Sequence, residues 1–473
     1  MPYNWASSGI FYYYKNVTSP TRTIPTRQLF NLAPTLYFEL ALGISVGIIG
    51  TVLAARVSDT DAAALALANN IAAMLFILFR LIGVGISVVV TQNLGAKQRA
   101  LADASSRAAL GASTWLGVFC AGMAVAVAWP LMGLMNAPPE VLVLAAPYLQ
   151  ALALPLLLDA WITALTAVLR AHLRNRETLG VTFIMHALHL AIAWPLMVGT
   201  VYFAPMGLLG FAVACGISRL VALGLFVCLW KTQLNLSTHA SDWWKLARRQ
   251  LAPILHIGLP AAAENVAYRV AFVVSVAAVG LLGGKALATQ AYVLQISHIG
   301  LIFGLAISLA VEIVVGHLVG AHQFKAAQRL VRQALAIALS LGLVVTVALA
   351  LAGGWLLRQF TTDAEIIATG TTLLWLTVVL ELGRTFNLVV INALRATGDA
   401  TFPVVAGAAS MLLVLAGGSM LLSGYFQLGL IGVWIAYALD EWIRGLMMWH
   451  RWISYAWLPY AKASVRRARA GNI

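Results

Sequence analysis

The chain has 473 residues, of which 61% are hydrophobic and only 10% are charged, and its mean hydropathy is +0.89. Soluble domains contain about 25% charged residues, so this chain lacks the polar surface that a water-soluble globule needs. The net charge of +14 does not indicate nucleic-acid binding, because the basic residues are concentrated in alternate connections between apolar segments.

Apolar segments follow one another along nearly the whole chain. About 20 apolar residues cross roughly 30 Å of hydrocarbon as a helix, and backbone groups in lipid must be satisfied internally. We therefore predict an all-α integral membrane protein with twelve transmembrane helices in two pseudo-symmetric six-helix lobes. The predicted spans cover residues 28–55, 62–90, 109–134, 141–169, 179–203, 207–230, 253–282, 287–318, 333–357, 366–394, 402–423 and 428–455.

The polar segments divide the chain into five regions. We predict an N-terminal tail (1–27), an N-lobe (28–230), a linker (231–250), a C-lobe (251–455) and a basic C-terminal tail (456–473). Lysine and arginine are concentrated in the tails and after the even-numbered spans, whereas the other connections contain only Arg56, Lys285 and Arg358. The positive-inside rule then places the linker and both termini in the cytoplasm. We expect a multi-pass protein of the bacterial inner (plasma) membrane, and residues 1–27 contain no signal peptide pattern.

The two halves repeat one another at a nearly constant offset. Four strings correspond: residues 70–71 with 295–296, 90–96 with 315–321 and 169–171 with 394–396, all at 225 residues, and 207–210 with 429–432 at 222. Because each unit has an even number of spans, both units enter the membrane from the same side. This predicts a parallel repeat, an arrangement found in secondary transporters whose sites lie between the halves.

Short motifs recur at the ends of the predicted spans. Residues 92–96 (QNLGA) follow the second span, Gly320-Ala321 follow the eighth, residues 394–403 (LRATGDATFP) follow the tenth, and residues 258–264 (GLPAAAE) open the seventh. Together these motifs resemble the MATE family (multidrug and toxic compound extrusion) over nearly the whole chain. The resemblance implies two six-helix lobes around a central cavity and efflux driven by a proton or sodium gradient. It also links the acid of the seventh span, Glu264, to coupling and substrate binding.

Two glutamates are the principal candidates for coupling. Glu39 and Glu264 are 225 residues apart, each follows a proline of the same span, and neither has a basic residue three or four positions away. Each lies eleven residues beyond the predicted start of its span, about 16 Å deep at 1.5 Å per residue, which predicts a position near the membrane midplane. Desolvation there penalises only the ionised form, so we predict that both carry protons.

Other charged residues inside the predicted spans are assigned to the substrate cavity or its gates, because a charge in a bilayer helix is costly without a function. Asp159 and Arg384, again 225 residues apart, either form an interlobe pair or line opposite cavity walls. Glu312 fits a gate or a vestibule. The remaining candidates are Arg80, Arg269, Asn265 and Tyr268. Glu381 and Glu441 each have an arginine three residues later, Arg384 and Arg444, so we predict local pairs for them.

Departures from the family pattern bear on the coupling ion. In branches of the family with an acid in the outer half of the first span, that acid lies near the position of Gly50, and no carboxylate occurs there or in the eleventh span. Sodium prefers several oxygen ligands, so isolated glutamates favour H+ and leave Na+ as the alternative. No other cofactor and no metal is expected: Cys120, Cys215 and Cys228 lack ligand spacing, and the paired His186 and His189 make a poor metal site.

The absence of a phosphate-binding loop favours secondary over ATP-driven transport, and no catalytic constellation indicates an enzyme. We predict an antiporter that exports drugs and other small organic molecules by rocking alternating access, acting as a monomer among membrane lipids and without nucleic acid. Two alternatives stay open. The arginines of the spans favour an anionic metabolite or natural product as cargo, and the lobed architecture also fits a flippase for a lipid-linked precursor.

Overall fold

The computed structural model describes residues 25–135, 137–199, 201 and 204–470, and contains no strand within them. The predicted tail 1–27 therefore lies almost wholly outside the described residues, as does the side chain of Arg80. Six spans form the N-lobe: Pro25–Val57, Asp59–Gly95, Arg99–Leu134, Pro139–Ala151 with Ala153–Ala171, Asn175–Val198 and Leu208–Gln233. They are called the first to sixth spans below.

Six further spans form the C-lobe: Arg248–Gly280, Gly284–Gly320, Phe324–Leu351 with Gly353–Arg358, Ala364–Ala396, Thr401–Ser410 with its irregular continuation to Tyr425, and Gly429–Ile453. They are called the seventh to twelfth spans. Eleven helices of the described residues are long and apolar enough to cross a membrane. The twelfth span is long enough but carries Asp440, Glu441, Arg444 and Arg451. The twelve-helix, two-lobe fold is confirmed.

Several helices extend beyond their predicted ends. The second span reaches Gly95 instead of residue 90, and the third begins at Arg99 instead of residue 109. The prediction followed apolar residues, whereas these helices continue with polar residues past the apolar region. The connections after the second, fourth, eighth and tenth spans are consequently very short. The connections after all even-numbered spans lie on one side, which we call the basic side.

The tight turns on the basic side are themselves repeated. Lys97 and His322 follow the second and eighth spans with φ of 60° each, and Leu173 and Gly398 follow the fourth and tenth spans with φ of 61° and 91°. In each turn a later amide donates back into the last helical turn, as Gln98 N does to Asn93 O (2.8 Å). A left-handed residue at this position ends a helix by satisfying its terminal carbonyls. The duplication thus extends to backbone conformation.

The segment between the lobes is folded against the N-lobe. The sixth span continues to Gln233 and the seventh begins at Arg248, so the connection is shorter than the predicted linker 231–250. Arg99 Nη2 donates to Leu234 O (2.5 Å), and Trp115 Nε1 donates to Trp244 O (3.0 Å). These bonds fix the connection on the third span.

The first span joins the two lobes. Its residues Leu29, Leu32 and Leu36 are buried in a cluster that otherwise belongs to the C-lobe. Tyr37 stacks on Phe303 of the eighth span with ring centroids 4.3 Å apart. Interlobe packing therefore involves the half of the first span that begins on the basic side.

The C-terminal segment ends in a helix, Leu458–Ala470, where the sequence indicated only a basic tail. Trp457 stacks on Trp452 at 4.7 Å, and Arg451 Nε binds Asp399 Oδ2 at 2.6 Å. Burial raises the pKa of the Asp399 carboxyl, and the Arg451 guanidinium opposes that shift. The helix contacts both the second and the eighth span, so it lies under both lobes.

Candidate functional site

Two glutamate–arginine pairs, each with a buried glutamate, occupy equivalent positions in the two lobes. In the N-lobe, Arg170 Nη2 donates to Glu39 Oε1 (2.5 Å), and Thr182 Oγ1 donates to the same oxygen (3.3 Å). In the C-lobe, Arg395 donates to Glu264, and Arg395 Nη1 also donates to Asn392 Oδ1 (3.1 Å). Both members of the second pair follow those of the first by 225 residues. The structure thus places each predicted coupling glutamate in an ion pair inside its lobe.

The arginines place these pairs relative to the helix ends. Arg170 and Arg395 are the penultimate residues of helices Ala153–Ala171 and Ala364–Ala396, which end on the basic side. The first and seventh spans begin before the predicted starts, at Pro25 and Arg248, so Glu39 and Glu264 lie further from the start of their helices than the sequence indicated. Their position near the membrane midplane stays a prediction.

A hydrogen bond to the opposite lobe follows each arginine. Gln92 Nε2 of the second span donates to the carbonyl of Ala396 (2.8 Å), and His317 Nε2 of the eighth span binds the carbonyl of Ala171 (2.8 Å). Because a carbonyl can only accept, Nε2 of His317 carries the proton. Gln92 and His317 are themselves 225 residues apart.

Glycines close the interlobe contact around these bonds, and we call this contact the seam. A Cβ atom at Gly95 would overlap His317 O, one at Gly320 would overlap Gln92 O, and one at Gly316 would overlap Thr91 Oγ1. Thr91 and Gly316 are equivalent positions, so the pseudo-twofold axis passes between them. The second and eighth spans therefore touch backbone to backbone on the basic side.

A second interlobe contact lies deeper along the second span. A Cβ atom at Gly85 would overlap Ile254 O, and one at Gly258 would overlap Leu81 O. Gly258 belongs to the motif that opens the seventh span. The close approach of the second and seventh spans explains why glycine occupies this position of the motif.

The C-lobe contains a continuous charged network beside Glu264. Arg384 binds Glu381 (2.5 Å) and Glu441 (3.3 Å), and Arg444 binds Glu441 (2.9 Å) and Asp440 (2.7 Å). The predicted local pairs are confirmed, and Glu441 additionally bridges the tenth and twelfth spans. With Glu264 and Arg395, the region holds four carboxylates and three guanidinium groups, which leaves one negative charge when all are ionised.

The N-lobe has a cavity of about 700 Å³ that includes the open space at its mouth. Asp159 and Arg219 line this cavity and bind each other at 2.7 Å. The predicted interlobe pair of Asp159 with Arg384 is therefore wrong, because each has its partner within its own lobe. The reason is a charge reversal: Arg384 stands at the position equivalent to Asp159, and Glu441 stands at the position equivalent to Arg219 at the offset of 222 that relates the sixth and twelfth spans. Each lobe therefore contains the same ion pair with its charges exchanged.

A cavity of about 780 Å³, which includes the open space at its mouth, lies between the lobes next to the seam. Its walls are mostly apolar, and its polar lining comes from Ser87, Thr163, Arg170 and Glu312. Glu312 is only 2% exposed and stands at the position equivalent to Ser87, so its predicted place at a vestibule fits this cavity. Arg170 lines this cavity and also binds Glu39, so the N-lobe ion pair borders the cavity.

The other predicted residues are distributed around the seventh span. Tyr268 stacks on Phe272 at 6.0 Å and lies within Coulombic range of Arg384. Asn265 Nδ2 donates to Ala261 O (2.7 Å), which occupies its amide within its own helix. Arg269 is exposed, so the structure does not bring it into the site. The prediction for Arg80 falls on a side chain outside the described residues.

Sequence reasoning missed four residues of this region. Arg170 was counted among basic connection residues, Arg395 was read only as part of a motif, and Gln92 and His317 were given no role. The common offset could have identified them. Arg170 and Arg395 are 225 residues apart, as are Gln92 and His317, and the same offset relates Glu39 to Glu264.

Duplicated parallel lobes with buried ion pairs and an interlobe cavity define a multi-span membrane transporter. The sequence model of the MatE family matches residues 36–195 and 260–419, one match in each lobe. The chain belongs to the MATE family of transporters.

Relatives agree with this assignment. An uncharacterized transporter, YisQ of Bacillus subtilis, is 29% identical over 93% of this chain and 96% of its own length. A probable multidrug resistance protein, NorM of Aromatoleum aromaticum, is 25% identical over 90% of this chain and 95% of its own. A crystal structure of a MATE protein in the bent conformation has a TM-score of 0.85 at 19% identity, covering 94% of this chain and 98% of that one.

Proposed function

We propose that the protein is a secondary active antiporter that exports small organic molecules and is coupled to H+ rather than Na+. The observation that supports this most directly is the duplicated Glu–Arg pair beside a seam closed on one side of the membrane. A transporter must bind its ligands differently in its two conformations. The pairs provide such a difference, because protonation removes the negative charge of the glutamate and with it the ion pair to the guanidinium.

The proposed cycle begins in the conformation seen here, with the seam closed on the basic side. Protonation of Glu264, accompanied by Glu39, releases Arg395 and Arg170 and favours opening of the seam towards the cytoplasm. Deprotonation there and substrate binding from the cytoplasm restore the pairs and return the cavity to the outside. The guanidinium beside each carboxylate disfavours sodium, because both cations would compete for the same oxygens.

The cargo follows from the charges near the cavities. The N-lobe has two acids, Glu39 and Asp159, balanced by Arg170 and Arg219, whereas the C-lobe network retains one negative charge. This balance favours a weakly cationic or neutral organic molecule over an anion or a lipid-linked precursor. Both lobes belong to one chain, so we propose a functional monomer in the bacterial inner membrane.

The test is transport by purified protein in liposomes, under a pH gradient and a sodium gradient applied separately. We expect pH-driven uptake of a fluorescent organic cation and no response to sodium. Glu264→Gln lowers pH-driven uptake by about 5- to 150-fold, the range given by a coupling free energy of about 1–3 kcal/mol, and Glu39→Gln also lowers it. Glu365→Gln is the control, because Glu365 is an exposed acid bound to Lys285 away from the site.

The outcomes separate the alternatives. Uptake that follows the sodium gradient contradicts the proton assignment. Undiminished pH-driven uptake by Glu264→Gln removes Glu264 from coupling. Transport restricted to an anionic dye or to a lipid-linked cargo would replace the proposed substrate class.

A further inference from the structure

The residue that follows the arginine of each Glu–Arg pair is hydrogen-bonded to the opposite lobe. Arg170 is followed by Ala171, whose carbonyl is bound by His317 of the C-lobe, and Arg395 is followed by Ala396, whose carbonyl is bound by Gln92 of the N-lobe. The backbone next to each arginine is therefore held by the opposite lobe. No motif or charge pattern in the sequence assigns a role to either amide or imidazole.

The side chains that make these bonds also belong to the seam. The carbonyl of Gln92 lies where a Cβ of Gly320 would be, and the carbonyl of His317 lies where a Cβ of Gly95 would be. Each residue thus contacts a helix of the opposite lobe with its backbone and the end of a second opposing helix with its side chain. The Gln92 side chain is only 7% exposed, and its hydrogen bond to the carbonyl of Ala396 is buried. Leaving this amide without a partner would therefore cost free energy.

We propose that Gln92 and His317 are positioning residues that transmit the state of the two Glu–Arg pairs to the interlobe seam. When a glutamate takes a proton, its arginine shifts, the neighbouring carbonyl leaves its Gln92 or His317 donor, and the second and eighth spans separate. This inference rests on the proposed proton coupling and adds the physical link between protonation and opening.

The two links are equivalent in place but different in chemistry. His317 has a titratable ring and lies within Coulombic range of His172 at the end of the fourth span, whereas Gln92 cannot titrate. The link needs only a hydrogen-bond donor at the position of Nε2, which both the glutamine amide and the histidine imidazole provide. His317→Gln should therefore keep the link, and His317→Leu should remove it.

The experiment measures seam opening directly, by spin labels at Ala100→Cys and Lys325→Cys in a Cys228→Ser background. Both label sites are exposed and equivalent in the two lobes, and Cys120 and Cys215 are buried. Distance distributions are recorded in liposomes across a pH series for the labelled parent, Gln92→Leu, His317→Leu and His317→Gln. Gln290→Leu serves as the control. Gln290 lies on the eighth span away from the seam, and its buried amide donates a hydrogen bond to the hydroxyl of Tyr437 (3.0 Å), which the substitution removes.

In the parent, we expect the long-distance population to grow as the pH falls. Gln92→Leu and His317→Leu reduce the pH-dependent change in the open-to-closed ratio by about tenfold, which corresponds to ~1.4 kcal/mol. His317→Gln and Gln290→Leu retain the parent response. A merely structural role would lower thermal stability in Gln92→Leu as in Gln290→Leu without changing the pH response.

Three results would overturn this inference in distinguishable ways. If the parent responds to pH and both leucine variants respond equally, the link is wrong and the proposed function stands. If His317→Gln loses the response as completely as His317→Leu, the imidazole itself is required and the shared-donor account is wrong. If the parent distance does not respond to pH at all, the proposed proton coupling fails together with the link.

Discussion

Leucine in place of Gly320 is expected to stop transport without unfolding either lobe. Any side chain there must displace the backbone carbonyl of Gln92, and inserting atoms into a packed contact costs about 1–3 kcal/mol or more. Only the conformation with a closed seam bears this cost, so the variant should remain open on the basic side. A cycle that cannot close on one side transports at background level.

Liposome transport and the Ala100–Lys325 label distance measure this effect together. Gly122→Leu is the matched control, because no atom lies within 4 Å of a Cβ at Gly122. Normal transport by Gly320→Leu would contradict the role of the seam. A loss of transport in Gly122→Leu of the same size would assign the effect to insertion of leucine into a membrane helix.

The second large effect is expected from the Glu264–Arg395 pair. Removing one partner of a buried ion pair leaves a charge without compensation and costs about 3–5 kcal/mol. We therefore expect Glu264→Gln and Arg395→Gln each to lower stability strongly. The double variant should be more stable than the sum of the two losses allows, since neutral amides occupy both positions.

Unfolding in detergent, followed as a double-mutant cycle, checks this expectation. The double variant is also the safer test of coupling: it should fold, yet it should show no pH-driven transport. The exposed pair of Lys285 and Glu365 is the control, and Glu365→Gln should change stability little. Additive losses in the cycle would mean that the pair does not act as a unit.

Much of the fold could be predicted from hydropathy, because lipid requires long apolar helices. The ends could not. The third span begins at Arg99 rather than near residue 109, since a helix can continue with polar residues once its backbone leaves the apolar region. The folded linker and the C-terminal helix depend on contacts with distant spans, such as Trp115 with Trp244, which composition does not reveal.

The candidate site could be predicted in part. The offset of 225 residues identified Glu39 and Glu264 as equivalents, and burial of both is consistent with that expectation. Their partners could not be chosen from the sequence, because Arg170 and Arg395 are 131 residues away from them along the chain. The same offset misled for Asp159 and Arg384, where the duplicated positions have opposite charges and each lobe supplies its own partner.

The most direct measurement is the distance between labels at Ala100 and Lys325 in the parent protein and in Glu264→Gln, from neutral to acidic pH. Acid is expected to shift the parent towards the long distance, and Glu264→Gln, which resembles the protonated acid, is expected to show the long distance with a much weaker pH response. A parent distance that stays constant with pH, or a Glu264→Gln variant that responds as the parent does, would contradict the proposed proton coupling.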